Sequence, residues 1–583
     1  MPLPSRLLAA GAAALALTGA LLAPAPAVAA ARTGATEARR VDSVATPKLG
    51  WYACYGWAQC ATAKVPLDYD RPHGKQVTLA LLRVPARDQK HRIGSLFVNP
   101  GGPGGQATAM ALAAPYFLSQ AVLNRFDVVG MDPRGVGFSD QINCFGTTAR
   151  QAPAIKTLSI GFPYTAAQEK TFVQAARAEG RACSTTGREL AGAMSTAEVA
   201  RDMEVMRRAV GDAKLSYLGF SYGTALGQYY ANMFPDRFRA IAVDGVLYPK
   251  AWVGSAATAG QIQDDRLHSA DGAWQALLEI LRRCDRAGAA KCAFSESPLH
   301  QFREIADRLQ RKPLVVGVEK VTYAAFIGMV LGALYEPEAG AEVTGMAAQV
   351  YRLTTPGYVP AEPELATTAA MVTRLRQQAE GRAFPYDNSF DAYSAVMCTD
   401  GRHPARGTAW AKAAARADKR APYFGRAWAW ASVQCAGDGW TVRDEDAYQG
   451  PFNKVTKNPV LVVGSYWDPA TNYTDAVKSA KLLPNSRLLS SANWGHTAYG
   501  TSHCATGNMD RYLLYRALPA KGTVCVGDEQ PFRANLDVTD EPTETAGTAV
   551  TDAVFDLATA TPAEIAAHGL PAANEPKALP PVR

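Results

Sequence analysis

Three residue types that together perform acyl transfer lie far apart in this 583-residue sequence: Ser221 within Gly219-Phe-Ser-Tyr-Gly223, Asp468 before Pro469, and His496 after Gly495. A serine hydroxyl is a weak nucleophile until an imidazole takes its proton, and the imidazole needs a carboxylate to hold its tautomer and stabilise its cation. The G-x-S-x-G spacing suits a serine on a sharp strand-to-helix turn, where side chains two residues away on either side would collide. Asp468 and His496 are 28 residues apart, room for one helix and one strand. His503 is the nearest competing base, but it leads directly into Cys504. Asp475 is the nearest competing acid, at a helix-like position after Pro469. Asp468 and His496 are therefore assigned to Ser221. The developing oxyanion needs preorganised donors. The backbone N–H of Tyr222 supplies one, and the Gly101-Gly102 pair the other, with Gly102 taken first and Gly101 as the alternative.

The elements that must carry these groups are legible as short apolar runs, each ending in a loop. Leu215–Leu218 reads as a strand before the serine, and Ala225–Met233 as the helix after it. Gly94–Val98 is a strand ending in Asn99-Pro-Gly-Gly-Pro-Gly-Gly105, whose four glycines and two prolines make a shaped loop of exposed amides. Phe126–Gly130 runs into Met131–Ser139, in which Asp132 and Arg134 are expected to form a structural ion pair. Ser195–Glu198 resembles a capping box ahead of Val199, Met203, Met206 and Val210 at helical spacing. Arg239–Val243, Pro459–Gly464 and Ser486–Ser490 are further strands, so Asp468 and His496 both fall just beyond strand ends. This order predicts an α/β chain with a mostly parallel, doubly wound sheet, and Ser, Asp, His is the triad order of the α/β-hydrolase fold. From 246 to 450 the periodicity is helical, with Trp410, Trp428, Trp430 and Trp440 expected mostly as its core. The expected organisation is a signal peptide at 1–29, a leader at 30–46, hydrolase core at 47–245, an inserted helical cap at 246–450, the rest of the core at 451–526 and a tail at 527–583.

Arg6, the apolar run Leu7–Ala23 and Ala27-Val-Ala29 read as a cleavable secretory signal, giving a secreted protein with no membrane anchor in its mature form. Residues 30–46 are small, polar and basic, and are expected to be a disordered leader or a propeptide. Ten cysteines fit an oxidising compartment. Their short gaps suggest that neighbours pair: Cys54 with Cys60, Cys144 with Cys183, Cys284 with Cys292, Cys398 with Cys435, and Cys504 with Cys525. A net charge of +7 without a long Lys/Arg block gives no nucleic-acid or membrane footprint. With no C-x-x-C or H-E-x-x-H, no metal site is expected, nor any cofactor; the protein is expected to be monomeric.

Taken together, Asn99–Gly105, Asp132-Pro-Arg-Gly-Val-Gly137, Gly219–Thr224, Val243-Asp-Gly245, Asp468-Pro-Ala-Thr471 and Gly495-His-Thr497 resemble the secreted tripeptidyl aminopeptidases of actinobacteria. These are proline-iminopeptidase-like serine peptidases. The resemblance covers most of residues 50–526, including Cys504 and Cys525, with Gln106 and Asn472 as departures from the usual serine and proline. It implies peptide substrates, cleaved from a free N-terminus through an acyl-enzyme on Ser221, and a cap with acidic groups for the substrate ammonium. Glu336, Glu338 and Asp400 are the candidates. A carboxylesterase with the same triad, or a non-catalytic binding protein of the same fold, are the competing readings.

Overall fold

The computed structural model describes residues 36–532, except 318, 364, 367–368, 371–372 and 374–385. The expected signal peptide, the first part of the leader and nearly all of the tail lie outside the described residues.

The strands in chain order are β1 (Tyr52–Cys54), β2 (Ala58–Pro66), β3 (Gln76–Val84), β4 (Gly94–Asn99), β5 (Phe126–Met131), β6 (Leu215–Phe220), β7 (Phe238–Asp244), β8 (Leu314–Val316), β9 (Glu319–Val321), β10 (Val460–Trp467), β11 (Ser486–Trp494) and β12 (Val524–Val526). Ten of them form one sheet in the order β1-β2-β3-β5-β4-β6-β7-β10-β11-β12, while β8 and β9 make a separate hairpin. β1, β2, β3 and β5 are joined by antiparallel pairings. From β5 to β12 every neighbouring pair is parallel. Strands β4 and β5 are buried at every position, as expected where helices cover both faces of a parallel sheet. One face packs on helices Thr196–Ala209 and Tyr222–Met233, the other on Ala107–Phe117 and His503–Tyr515. The sheet is doubly wound, and the α/β-hydrolase reading of the sequence holds.

The strand order reverses at β4, which lies between β5 and β6. Ligands of open α/β sheets bind where the order reverses, beyond the carboxyl ends of the strands. Here Asn99, at the end of β4, pairs in register with Gly219, at the end of β6. That register alone sets the glycine-rich loop beside the serine turn.

A layer of helices continues the chain between β7 and β10. Its core holds Leu277, Phe302, Phe326, Trp410 and Trp430, so Trp410 and Trp430 are interior packing residues. The same cluster contains Phe172, Val173 and Ala176 of helix Ala166–Thr185, which lies between β5 and β6. The helical layer thus draws on two excursions from the sheet, not on residues after 246 alone. A Cβ on Gly180 would stand 2.9 Å from Gln434 O and Trp440 N, so the two excursions meet backbone to backbone. All five neighbouring cysteine pairs are bonded: Cys54–Cys60, Cys144–Cys183, Cys284–Cys292, Cys398–Cys435 and Cys504–Cys525. In the chain-entropy model, loops the size of those closed by Cys144–Cys183 and Cys398–Cys435 each contribute about 3–4 kcal/mol by restricting the unfolded chain.

One expectation is corrected. Asp132 and Arg134 do not pair with each other. Arg134 is fully buried and binds Asp202 (2.6 Å) and Glu198 (3.1 Å), which helix Thr196–Ala209 presents one turn apart on one face. Asp132 accepts from Thr108 N (2.8 Å), Thr108 Oγ1 (3.0 Å) and Phe138 N (2.9 Å), so neutral donors satisfy it and burial pushes its carboxyl up to about 6. The second part of the presumed leader is also folded. Residues 36–42 are helical, with Val41 and Val44 in the main core. Glu37 binds Arg201 (2.8 Å) and Arg40 binds Asp70 (2.7 Å). Glu37, Val41 and Val44 recur at helical spacing, which gives this short polar stretch one face that the core accepts.

Candidate active site

The elbow is built by backbone constraints. Ser221 has φ 56° and ψ −126°, a strained conformation for a side chain-bearing residue, and its N–H donates to Asp244 O at 3.1 Å. A Cβ on Gly219 would lie 2.5 Å from Gly223 O, and one on Gly223 2.7 Å from Asn99 O. The first glycine of the motif clears the turn itself, and the second clears the neighbouring loop. That loop lies directly on the elbow, since a Cβ on Gly101 would meet Ser221 Cβ and Tyr222 N at 2.8 Å. Gly101 N–H donates to Asn99 Oδ1 at 2.9 Å, so this amide is already engaged. A cavity of about 420 Å³ flanks the outer side of the loop, lined among others by Pro100, Gly105, Gln106, Met110 and Ser389.

Asp468 and His496 meet. His496 Nδ1 lies 3.0 Å from Asp468 Oδ1 and 2.9 Å from Oδ2. The carboxylate also accepts from Ala470 N, Thr471 N (both 2.8 Å) and Thr471 Oγ1 (2.7 Å). Burial pushes the Asp468 carboxyl up, but the histidine and these donors outweigh it and hold it below the usual carboxylate range. For His496, burial disfavours the cation, yet Asp468 and, more weakly, Asp244 raise its pKa above the ordinary 6.5. The histidine loop stands next to the elbow: a Cβ on Gly245, the residue after the acceptor of Ser221 N–H, would be 3.1 Å from His496 Cε1. Such an arrangement can take a proton from a serine and stabilise the resulting imidazolium.

The competing residues are elsewhere. His503 is exposed, paired with Asp528 at 2.6 Å. Asp475 is buried on Lys478 at 3.0 Å. Asp400 does not face a substrate: it accepts from Thr196 N (2.7 Å) and Trp252 Nε1 (2.8 Å), and Thr196 Oγ1 in turn bonds the Tyr222 hydroxyl. It braces the elbow helix from behind. Glu336 and Glu338 are exposed at the edge of the helical layer. Burial, then Glu338 and Glu342, raises the Glu336 carboxyl. Tyr335, beside them, covers the histidine, its ring 5.1 Å from that of His496 and its carbonyl accepting His496 N–H at 2.8 Å. Sequence reasoning missed Tyr335, and no local motif marks it. Asn99 and Thr471 stood inside motifs, and their side-chain oxygens at strand ends were the available signal.

Family models match two stretches of the chain: "alpha/beta hydrolase fold" over residues 94–279 and "TAP-like protein" over residues 421–525. A tripeptidyl aminopeptidase of Streptomyces coelicolor is 31% identical over 81% of this chain and 84% of its own length. The serine protease Hip1 of Mycobacterium tuberculosis is 30% identical over 83% of this chain and 92% of its own. A protein named carboxylesterase B from the same species is 30% identical over 87% and 96%. The glycine loop, the elbow and the histidine–aspartate pair occupy the strand ends of a chain similar to these over most of its length. This protein belongs to the tripeptidyl aminopeptidase-like family of α/β-hydrolase serine peptidases.

Proposed function

We propose that the protein is a secreted exopeptidase that releases short peptides, tripeptides in particular, from free N-termini. The observation that carries the mechanism is the buried Asp468–His496 pair beside an elbow serine of positive φ. In this reading His496 takes the proton of Ser221 Oγ as it attacks the scissile carbonyl, and returns it to the departing amine. Asp468 holds Nδ1–H and balances the imidazolium. Water then hydrolyses the acyl-enzyme by the same proton route in reverse. Tyr222 N–H and Gly102 N–H receive the oxyanion; Gly102 is favoured over Gly101 because the Gly101 amide is engaged by Asn99. Each such donor stabilises the transition state by roughly 3 kcal/mol. Glu336 and Glu338, adjoining the tyrosine that covers His496, supply negative charge for the substrate ammonium.

The test is a peptide library digested with the purified protein, with and without N-acetylation, and read by mass spectrometry. N-terminal tripeptides are expected from free peptides and nothing from acetylated ones; equal cleavage of both sets refutes the exopeptidase reading. A second reading, a carboxylesterase with the same triad, draws on the similarity to the protein named carboxylesterase B. Turnover of short nitrophenyl esters with no cleavage of any free peptide would favour it.

A further inference from the structure

Asp244 closes β7 and is fully buried, and the mechanism above does not use it. Its contacts are unusual for a packing acid. Its backbone carbonyl accepts the N–H of Ser221 at 3.1 Å. Its Oδ2 accepts the N–H groups of Ala498 and Tyr499, both at 2.9 Å, on the loop that begins at His496. One residue therefore ties the nucleophile turn and the histidine loop to the same strand end. Its Oδ1 is buried with no hydrogen-bond partner, and among the described residues no cation pairs with Asp244. Two amide donors on one oxygen would be served equally well by an asparagine. A carboxylate left half-satisfied in a dry site calls for a nearby positive charge, even one present only part of the time.

The candidate charge is the imidazolium of His496, beyond Gly245. Around that ring stand Asp468 from the end of β10, the neutral phenol of Tyr335 from the helical layer and Gly245, on which a Cβ would lie 3.1 Å from Cε1; Asp244, the residue before Gly245, raises the imidazole's proton affinity through its charge. We propose that Asp244 is a positioning residue for the triad, a second carboxylate that aligns the Ser221 turn with the histidine loop and shares with Asp468 the stabilisation of protonated His496. Asp244 takes no proton in the reaction. The Ser221 proton passes to His496 and on to the departing amine, and Asp244 acts only through the field at the ring. The inference rests on the Ser221–Asp468–His496 reading.

Burial pushes the Asp244 carboxyl up to about 6, with Asp468 adding to the rise and His496 opposing it. In the intact chain log kcat/KM for a tripeptide anilide should fall at low pH as His496 takes a proton. Asp244→Asn keeps an oxygen for both amides and removes the charge. With a cooperative melt as evidence of folding, it should lower kcat/KM by about tenfold or more and move the acid limb down by roughly half to one pH unit, because His496 loses a neighbouring anion. An acid limb that stays at the parent's pH overturns the proposal, whether or not activity falls. If Asp244→Asn does not fold, Asp244→Ser, which keeps one oxygen for the two amides and removes the charge, is measured in its place with the same criterion. Fluorophosphonate labelling of the parent, abolished by Ser221→Ala, tests the triad separately, so that the proposal about Asp244 can fail while the triad stands.

Discussion

Two of the buried ionic assemblies among the described residues differ in what they can do. One is the Asp468–His496 pair at the strand ends; the other links Arg134 and Arg201 to Glu198, Asp202, Glu37 and Asp446. Both are withdrawn from water and both are rich in hydrogen bonds. The first contains an imidazole whose proton affinity its carboxylate neighbours raise, held beside a strained serine. The second is held by two guanidinium cations, which keep their protons, and it ties helix Thr196–Ala209 to Arg134, Glu37 and Asp446 from distant parts of the chain. Burial of charge does not by itself mark a candidate catalytic site; an imidazole beside a strained serine does.

The comparison is broken most severely at Ser221. Ser221→Ala should lower kcat/KM on tripeptide anilides by about 10⁵-fold or more with an unchanged melting temperature, since the proposed mechanism places the acyl group on the removed hydroxyl. If activity persists, the strand-end site is not the reaction centre. Asp468→Asn should cost about 10⁴-fold in kcat through the wrong histidine tautomer, again with little effect on folding. In the other assembly the signature inverts. Arg134→Met takes the cation from buried Asp202 and one of two from Glu198, which keeps Arg201, and should destabilise the fold by about 3–5 kcal/mol, measured by urea denaturation, while whatever protein remains folded keeps its KM. A loss of activity without a loss of stability would dissolve the distinction.

The smallest expected effect concerns pH. The proposed mechanism needs neutral His496, whose pKa is raised, so kcat/KM should fall as the pH drops through a value above 6.5. The contribution of the same histidine to stability has the opposite sign: it is fully present below the unfolded value near 6.5 and is lost as the pH rises through the raised folded value. Melting temperatures across that interval, set beside the rate profile, check the opposition.

The parts of this site that were legible in the sequence are those where one short segment imposes its own geometry. Gly219 and Gly223 are dictated by contacts within the elbow and its neighbouring loop, and Asp468 and His496 follow strands that read clearly as apolar runs. What was misread depends on distant partners. Arg134 stands two residues from Asp132, yet its carboxylates come from Glu198 and Asp202, more than sixty positions on, and nothing near Arg134 records them. Residues 36–46 look polar because few positions touch the core; only Val41 and Val44 do so as apolar groups. Tyr335 reaches His496 from the helical layer, where apolar periodicity reveals a helix but not which residue overhangs the site. The contribution of helix Ala166–Thr185 to that layer was hidden for the same reason.

The meeting of two excursions in the helical layer bears on how a substrate enters. A lid that leaves the sheet once and returns once can swing on a single pair of hinges. Here the region before the serine and the region after it are interlocked at Gly180 and share one apolar core. Large rigid-body opening would have to break that core, so access is expected through local rearrangement at the rim.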